Sequence, residues 1–192
     1  MQFNELQDIT LDKEFEQRCE TFTSLLQQWG KVHNLSGRLN NQDIKENIID
    51  SVYPLKFISS FESFADIGTG AGYPGLIIAM ANSHKKCYLI EPRVKRVAFL
   101  NFVKNTLGLK NVEVIGSRVE EVKDLKVDLI TSRAVTNTKL LLDITKNISK
   151  DDSSYLFYKG SLLEEEVEIA KLNNYKIVNR NDRNYLYLEG KK

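Results

Sequence analysis

Two hydrophobic periods divide the chain near residue 60. Before that point the apolar side chains recur at steps of three and four residues, which is the spacing of one helical face. One such stripe runs from Phe15 to Trp29, and a second runs from Ile44 to Leu55. Gly30 is expected to end the first helix. Residues 1–60 therefore predict a helical N-terminal extension.

After residue 60, short apolar runs alternate with helical segments. The runs expected to be strands are residues 64–67, 87–90, 112–115, 127–130 and 155–158. The expected helices are residues 75–81, 94–107, 137–148 and 162–172. Gly108 is a suitable C-cap for the second of these helices. Strands that alternate with helices pair in parallel through right-handed crossovers.

The last two apolar runs, residues 176–178 and 185–188, lie close together, with only residues 179–184 between them. That connection is too short for a crossover helix, so the two strands must pair as an antiparallel hairpin. The pattern therefore predicts an α/β, Rossmann-like domain over residues 61–192. Its seven-stranded, mostly parallel sheet is expected to end in the antiparallel C-terminal hairpin.

Composition narrows the class of protein. The chain of 192 residues is 42% hydrophobic, which suits one α/β domain with a small appendage. Cys19 and Cys87 lie far apart within apolar patterns, as expected for buried thiols of a cytosolic protein. Two histidines offer no zinc cluster, and no run approaches the roughly 18 apolar residues of a membrane span. We therefore expect a cytoplasmic protein with neither a metal nor a membrane segment.

Glycines are densest directly after the first predicted strand. Four of the ten glycines lie in the stretch from Asp66 to Gly75. Glycine allows a sharp turn through positive φ and leaves no side chain to block a ligand. A strand, a glycine turn and a helix in this order can bind a nucleotide-like cofactor at the carboxyl edge of a parallel sheet.

Two cofactors fit the spacing of this turn. Gly70, Gly72 and Gly75 match the dinucleotide fingerprint G-x-G-x-x-G, and Glu91 follows about 20 residues on, where a ribose-binding acid is expected. Alternatively, Gly68 begins the pattern G-x-G-x-G, which resembles the first motif of S-adenosylmethionine (SAM) methyltransferases.

Three features favour SAM over NAD. Asp66 ends the strand, where an acid suits the ammonium group of the methionine part. Pro74 removes an N–H near the start of the helix, where a pyrophosphate would need donors. The antiparallel ending is also the plan associated with SAM methyltransferases. An NAD-dependent enzyme remains the alternative.

Other candidate residues follow the remaining strands at the same edge. Glu91 can accept both hydroxyls of a ribose. Arg93, Lys95 and Arg96 begin the next helix, where cations oppose the helix dipole, so either phosphate binding or simple solvation accounts for them. Residues 117–121 follow the third strand, beside the expected adenine, although they also match a helix-capping box.

Two further cations and one amide complete the candidate substrate residues. Arg133 ends the fourth strand, where it is positioned for the substrate or for the methionine carboxylate, and Lys159 follows the fifth strand. Asn34 lies among cations and aromatic surface, a combination that suits RNA. A capped turn between helices explains the segment around Asn34 equally well.

If the substrate is a nucleobase, the residues at the expected active edge can be compared with those that each acceptor atom needs. Methylation of cytosine C5 needs a cysteine nucleophile, but neither cysteine lies at the expected active edge. Methylation of the exocyclic amine of adenine is usually marked by an Asp/Asn-Pro-Pro-aromatic run after the fourth strand, where this chain has residues 132–134. Guanine N7 has an available lone pair and requires positioning without a general base, so the lack of a catalytic cysteine or histidine agrees with its methylation but does not select it over other acceptors.

Several distinct short motifs lie between residues 29 and 160. They are Asn34-Leu35-Ser36, Asp50-Ser51, residues 66–75, Lys95-Arg96 with Phe99-Leu100, residues 117–121, Ser132-Arg133-Ala134 and Lys159-Gly160. In this combination the chain resembles the bacterial 16S ribosomal RNA (guanine-N7) methyltransferase G family, also called glucose-inhibited division protein B. It departs from that family at Glu46-Asn47, which replace a usual Arg-His pair and remove two expected cations from the RNA side.

The resemblance implies a class I SAM-dependent methyltransferase that modifies guanine N7 in the decoding-region hairpin of 16S rRNA. It implies a monomer that acts on 16S rRNA or on a small-subunit assembly particle, with residues 1–60 as a cap on the RNA side. Substrate-positioning roles are implied for Asn34, Arg133 and Lys159. The SAM-binding residues implied are Asp66, Gly68, Gly70, Gly72, Tyr73, Glu91, Arg118, Val119, Glu120 and Arg133. A SAM-dependent methyltransferase of a small molecule or protein is the alternative.

Overall fold

A computed structural model describes residues 1–33, 39–133, 135–160 and 163–190. Its centre is a seven-stranded sheet with the strand order β3-β2-β1-β4-β5-β7-β6. The strands are β1 (Ser63–Ile67), β2 (Lys86–Ile90), β3 (Val112–Ile115), β4 (Val127–Arg133), β5 (Ser149–Lys159), β6 (Tyr175–Arg180) and β7 (Arg183–Leu188).

Pairing within the sheet changes direction at β5. Strands β1 to β5 pair in parallel, whereas β7 pairs antiparallel with both β5 and β6. The predicted Rossmann-like α/β fold, with a mostly parallel sheet and an antiparallel C-terminal hairpin, is therefore confirmed. The strand order reverses at β1, because the sheet first grows from β1 through β2 to β3 on one side and then from β1 through β4 to β5 on the other. A reversal of this kind opens a crevice at the carboxyl edge of a parallel sheet.

Helices cover both faces of the sheet in the described part of the chain. They are α1 (Phe15–His33), α2 (Asn41–Val52), α3 (Gly75–Ala81), α4 (Val94–Thr106), α5 (Thr138–Ile144) and α6 (Leu163–Ala170). The apolar faces of α1 and α2 pack with α3 and α4 in one cluster, which includes Phe22, Ile48, Leu76 and Phe99. A second cluster contains Leu141 of α5 and Val167 of α6.

The two N-terminal helices are thus part of a common hydrophobic core with the sheet. Asn40 begins α2 as its N-cap, since its side chain accepts a hydrogen bond from the Asp43 amide at 2.9 Å. The division of the chain into residues 1–60 and residues 61–192 stays a prediction.

The structure corrects the expected end of the first helix. Gly30 lies inside α1 instead of ending it, because the helix continues to His33. A β-carbon at Gly30 would lie 2.4 Å from Cδ1 of Leu39. The absence of a side chain at Gly30 therefore lets Leu39, which precedes α2, pack directly against α1.

The fifth helix is also shorter than expected, since α5 ends at Ile144 instead of continuing to residue 148. Asn147 turns away from the helix and donates to the carbonyl oxygens of Val119 and Val122, at 2.7 and 2.9 Å. Ile148 then enters the core, and β5 begins at Ser149, ahead of its predicted apolar run. The Gly108 cap is confirmed, with a φ of +62° directly after α4 and its C-cap residue.

Candidate functional site

The turn between β1 and α3 is built on glycines with positive φ. Gly68, Gly70 and Gly72 have φ angles of 65°, 61° and 103°, a region that side chains rarely adopt. The amide of Gly68 donates to the carbonyl oxygen of Ile90 at 2.8 Å, which ties the turn to the end of β2. The turn thus lies at the carboxyl edge where the strand order reverses.

Gly75 is required for a different reason, which is close packing against Asp66. A β-carbon at Gly75 would lie 2.4 Å from Cβ of Asp66. Without one, the Gly75 amide reaches the Asp66 carboxylate and donates to Oδ2 at 2.9 Å. Since this contact fixes the start of α3 on the end of β1, the fourth glycine supports the turn.

Asp66 is placed beneath the turn and outside the cavity. The side chain is fully buried, and its other oxygen accepts a hydrogen bond from Thr131 Oγ1 at 2.7 Å. Burial raises the pKa of this carboxyl to about 6, against the opposing effect of its hydrogen bonds. The expected contact with a cofactor ammonium group is therefore not favoured by this placement, and the carboxylate supports the turn from below.

A cavity of about 590 Å³ opens above the turn. The turn, the end of β2, the start of α4, the loop after β3 and the end of β4 all contribute to its wall. The residues predicted for a SAM site that line it are Gly68, Gly70, Tyr73, Glu91, Arg118, Val119, Glu120 and Arg133. Its size is within the usual range for a small-molecule site, roughly 300 to 1,000 Å³.

Glu91 joins the glycine turn to the start of α4. Its side chain is almost fully buried, and Oε2 accepts from the Gly70 amide at 3.0 Å while Oε1 accepts from the Arg93 amide at 3.0 Å. The guanidinium of Arg96 lies 3.5 Å from Oε2. A carboxylate fixed in this way at the cavity wall can accept hydrogen bonds from the hydroxyls of a ribose.

The loop after β3 forms another part of the wall. Val119 is buried, whereas Arg118 and Glu120 are exposed at the rim. The amide of Arg118 lies 3.4 Å from the carboxylate of Glu121, and Asn147 holds the carbonyl of Val119. The apolar side chain and the cation therefore both border the cavity, a combination that can accommodate the flat face and polar edge of a purine.

Arg133 ends β4 and is held by groups from two other parts of the chain. Its Nη1 donates to the side-chain oxygen of Asn47 on α2 at 2.7 Å. Its guanidinium carbon lies 4.8 Å from the centre of the Tyr73 ring. Burial and the like charge of Arg183 lower the pKa of Arg133, but an arginine remains charged in proteins. The cavity therefore has a cation at its β4 end.

Lys159 is at the same edge but is engaged within the protein. Its Nζ donates to the carbonyl of Thr136 at 3.0 Å and to the carboxylate of Glu166 at 2.7 Å. Only 7% of its side chain is exposed. The same Glu166 oxygen accepts from the amide and the hydroxyl of Thr138. These hydrogen bonds hold Lys159 where β5, α5 and α6 meet. The role that was predicted for Lys159 in positioning a substrate stays a prediction.

Two residues that the sequence left without a site role have specific contacts here. Asn47 holds Arg133, and Glu46 lies 3.4 Å from Nη2 of Arg180. These are the positions where the expected cations are replaced. No local sequence signal identifies the contact between Asn47 and Arg133, because the two residues lie 86 positions apart in the chain. Asn34 lies outside the described residues.

In the described residues, no cluster of three or more histidine, cysteine or acidic side chains could hold a metal ion. Over the same ranges, no helix has both the length and the apolar character needed to cross a membrane. Cys19 and Cys87 are buried free thiols, and burial raises the pKa of each well above its ordinary value.

Comparison with known proteins identifies a family. Residues 15–185 match the family described as rRNA small subunit methyltransferase G. A relative of that name from Aliarcobacter butzleri is 69% identical over 186 residues, which cover 97% of this chain and 96% of the relative. The protein of the same name from Wolinella succinogenes is 44% identical, and the match covers 95% of this chain and 93% of that protein.

Solved structures of low sequence identity share the fold. A methyltransferase from Geobacter sulfurreducens superposes with a TM-score of 0.62 at 13% identity, covering 88% of this chain and 90% of that one. A SAM-dependent methyltransferase from Aquifex aeolicus has a TM-score of 0.58 at 22% identity, covering 78% of this chain and 98% of that one. The likeness is to the class I methyltransferase architecture.

Proposed function

The chain belongs to the rRNA small subunit methyltransferase G family, and from that premise we propose that it methylates N7 of a guanine in 16S rRNA. It is a SAM-dependent rRNA methyltransferase. The proposal concerns the acceptor atom, the RNA segment and the residues that hold both ligands. The segment proposed is the decoding-region hairpin.

We place SAM in the cavity above the glycine turn. The positive φ angles at Gly68 and Gly70 require glycine, and the absence of side chains there leaves that wall open. The fixed carboxylate of Glu91 can accept the ribose hydroxyls. Val119 and Arg118 would border the adenine, and Tyr73 and Arg133 would border the methionine end. When bound, SAM supplies an electrophilic methyl group.

The observation that carries the choice of guanine N7 is the chemistry of the cavity wall. Among the described residues that line it there is no cysteine and no histidine, and both cysteines are buried in the core. Of the two acidic side chains in the lining, Glu91 is buried and already engaged by two backbone amides, and Glu120 is exposed at the rim on the proposed adenine side. Guanine N7 needs no general base, so alignment and exclusion of water are sufficient for this reaction.

The RNA is proposed to approach over the start of α4 and the end of β4. Arg93, Lys95 and Arg118 are exposed at or near the cavity rim. In the described part of the chain, none of these three cations forms an ion pair. Unpaired cations beside a cavity can bind RNA phosphates. A target base would leave its stack to enter the cavity.

Methylation in vitro tests the acceptor atom. The purified protein and SAM with labelled methyl are incubated with 16S rRNA, and separately with small-subunit particles, both from cells that lack the enzyme. Mass spectrometry of the nuclease digest should show 7-methylguanosine in one decoding-region fragment. Label at cytosine C5 or at an exocyclic amine would refute the proposal, as would transfer to neither RNA substrate. The two substrates distinguish action on naked rRNA from action on a particle.

A further inference from the structure

We propose that Asn47 is a positioning residue for Arg133. Its neutral amide oxygen orients the guanidinium at the cavity and leaves the positive charge available to an oxyanion, either the cofactor carboxylate or an RNA phosphate. This inference rests on the proposed function, because it concerns the same cavity. It also gives a role to a position at which the chain lacks an expected cation.

The Asn47 side chain is fixed from both ends. Its Nδ2 donates to the carbonyl oxygen of Asp43, one turn earlier in α2, at 2.8 Å. Its Oδ1 accepts from Nη1 of Arg133 at 2.7 Å. Since an arginine can only donate hydrogen bonds, the amide must present its oxygen to Arg133. The helix backbone and the guanidinium thus select the same orientation of the amide.

Tyr73 restrains the guanidinium on a second side. The guanidinium carbon lies 4.8 Å from the centre of the Tyr73 ring, within the range of a cation–π contact. The ring packs edge-on against Phe22 of α1, with the centroids 5.5 Å apart. Because Tyr73 belongs to the glycine turn, Arg133 is held between Asn47 of α2 on one side and the glycine turn on the other.

Among the described residues, no carboxylate forms a hydrogen bond or an ion pair with Arg133. Asp50 lies one turn after Asn47 in α2 and is the neighbouring acid. Its two oxygens accept from Arg183 Nε at 2.5 Å and from the Tyr185 hydroxyl at 2.7 Å. The hydrogen bond from Arg133 therefore goes to a neutral amide. A guanidinium held by a neutral acceptor at a cavity wall can still bind a carboxylate or phosphate.

Two substitutions separate the geometric effect from the electrostatic one. Asn47→Ala removes the amide oxygen that accepts from Arg133 and adds no charge beside the guanidinium. Asn47→Asp keeps an oxygen near the guanidinium but adds a negative charge that pairs with it. Gln17→Glu is the matched control, since it adds the same charge at an exposed position near the start of α1. Thermal melting shows whether each variant is folded.

The readouts are the Kd of SAM by calorimetry and the KM and kcat for rRNA. We expect Asn47→Asp to weaken binding of the oxyanion ligand by about tenfold and Asn47→Ala by a smaller factor. A change in the Kd of SAM identifies the cofactor carboxylate as the oxyanion. A change in the KM for rRNA at an unchanged Kd of SAM identifies a phosphate. The control should leave both constants unchanged.

A double-mutant cycle tests whether Asn47 acts through Arg133. In an Arg133→Ala background, Asn47→Asp should have no further effect on the affected constant. An equal effect in both backgrounds overturns the inference, as does a folded Asn47→Asp variant whose constants match those of the wild type. These outcomes leave the proposed function intact, whereas wild-type protein that neither binds SAM nor modifies rRNA would refute the proposed function itself.

Discussion

Glu91 shows how one side chain can serve both the fold and the cavity. Its carboxylate accepts two backbone amides, from the glycine turn and from the start of α4. Hydrogen bonds to the charged form of a carboxylate are stronger than neutral ones. The proposed ribose contact therefore depends on an acceptor that the protein holds in place before a ligand binds.

Glu91→Gln tests that contact. The replacement keeps the shape but removes the charge, and its amide NH₂ must face one of the two N–H donors. We expect the Kd of SAM to rise at least about tenfold, measured by calorimetry. Glu113→Gln, at an exposed position on the neighbouring strand β3, is the control and should bind SAM normally. Normal SAM binding by Glu91→Gln would contradict the proposed placement of the ribose.

The raised pKa of Asp66 predicts that the free energy of unfolding depends on pH. Burial raises the pKa of this carboxyl to about 6 in the folded protein, whereas an unfolded aspartate titrates near 3.9. Between these values the unfolded chain loses its proton first, so this group makes the free energy of unfolding fall as pH rises. The slope approaches about 1.4 kcal/mol per pH unit at most, and the effect is constant above pH of about 6.

Asp66→Asn should remove this dependence. An asparagine can accept from the Gly75 amide and donate to the Thr131 hydroxyl, so it fits the same two partners. Urea unfolding at several pH values from 4 to 7 measures both proteins. The stability of the wild type relative to the variant should decrease as pH rises through this window. A difference that stays constant with pH would show that the pKa of Asp66 is not raised in the folded protein.

Among the structural elements, β5, α5 and α6 meet at one partly buried ion pair. Lys159 at the end of β5 donates to Glu166 on α6, and Glu166 accepts from Thr138 at the start of α5. Burial raises the pKa of Glu166, but the hydrogen bonds from Lys159 and Thr138 outweigh it and lower the pKa overall. The contribution of this pair to stability is therefore lost as pH falls through that lowered pKa.

Lys159→Met tests whether Lys159 is structural or faces a substrate. We expect a loss of about 2 kcal/mol in the free energy of unfolding by urea, because a carboxylate would remain partly buried without its partner. Lys139→Met, which breaks an exposed pair with Asp143 on α5, should have little effect. Unchanged stability with a raised KM for rRNA would instead support the substrate role that the sequence predicts for Lys159.

For the whole molecule, the candidate site depends on both parts of the predicted division at residue 60. Asn47 comes from the helical N-terminal part, and Arg133 comes from the sheet, 86 residues further along the chain. Helices α1 and α2 share one hydrophobic cluster with the sheet. Displacement of these helices would therefore change the cavity as well as any surface that they present to RNA.

Salt dependence tests the proposed RNA surface. Each phosphate contact made by a lysine or arginine contributes to the fall of affinity with salt. Lys95→Gln should weaken rRNA binding and reduce the slope of log K against log salt by roughly 0.7 to 1, measured by filter binding at several salt concentrations. Lys110→Gln, an exposed position beyond the other end of α4, is the control. An equal slope for both variants would place the RNA elsewhere.

The sequence by itself determined the order of elements, the parallel sheet with its antiparallel ending, and the glycine turn. These features depend on residues close together in the chain, such as Gly68 and Gly70, whose turn follows β1 directly. Periodicity and connection length contain that local information. The polar start of β5 was missed because Ser149 and its neighbours lack an apolar run.

Tertiary structure alone decided which polar groups meet. It buried Asp66 beneath the turn, paired Lys159 with Glu166, and set Asn47 against Arg133. These contacts join elements that the crossovers bring together at one edge of the sheet. A local pattern cannot specify them, because a hydrogen-bond partner is selected by distance and burial in the folded chain. The sequence thus predicted the cofactor turn, and the packing of distant elements decided which side chains reach the cavity.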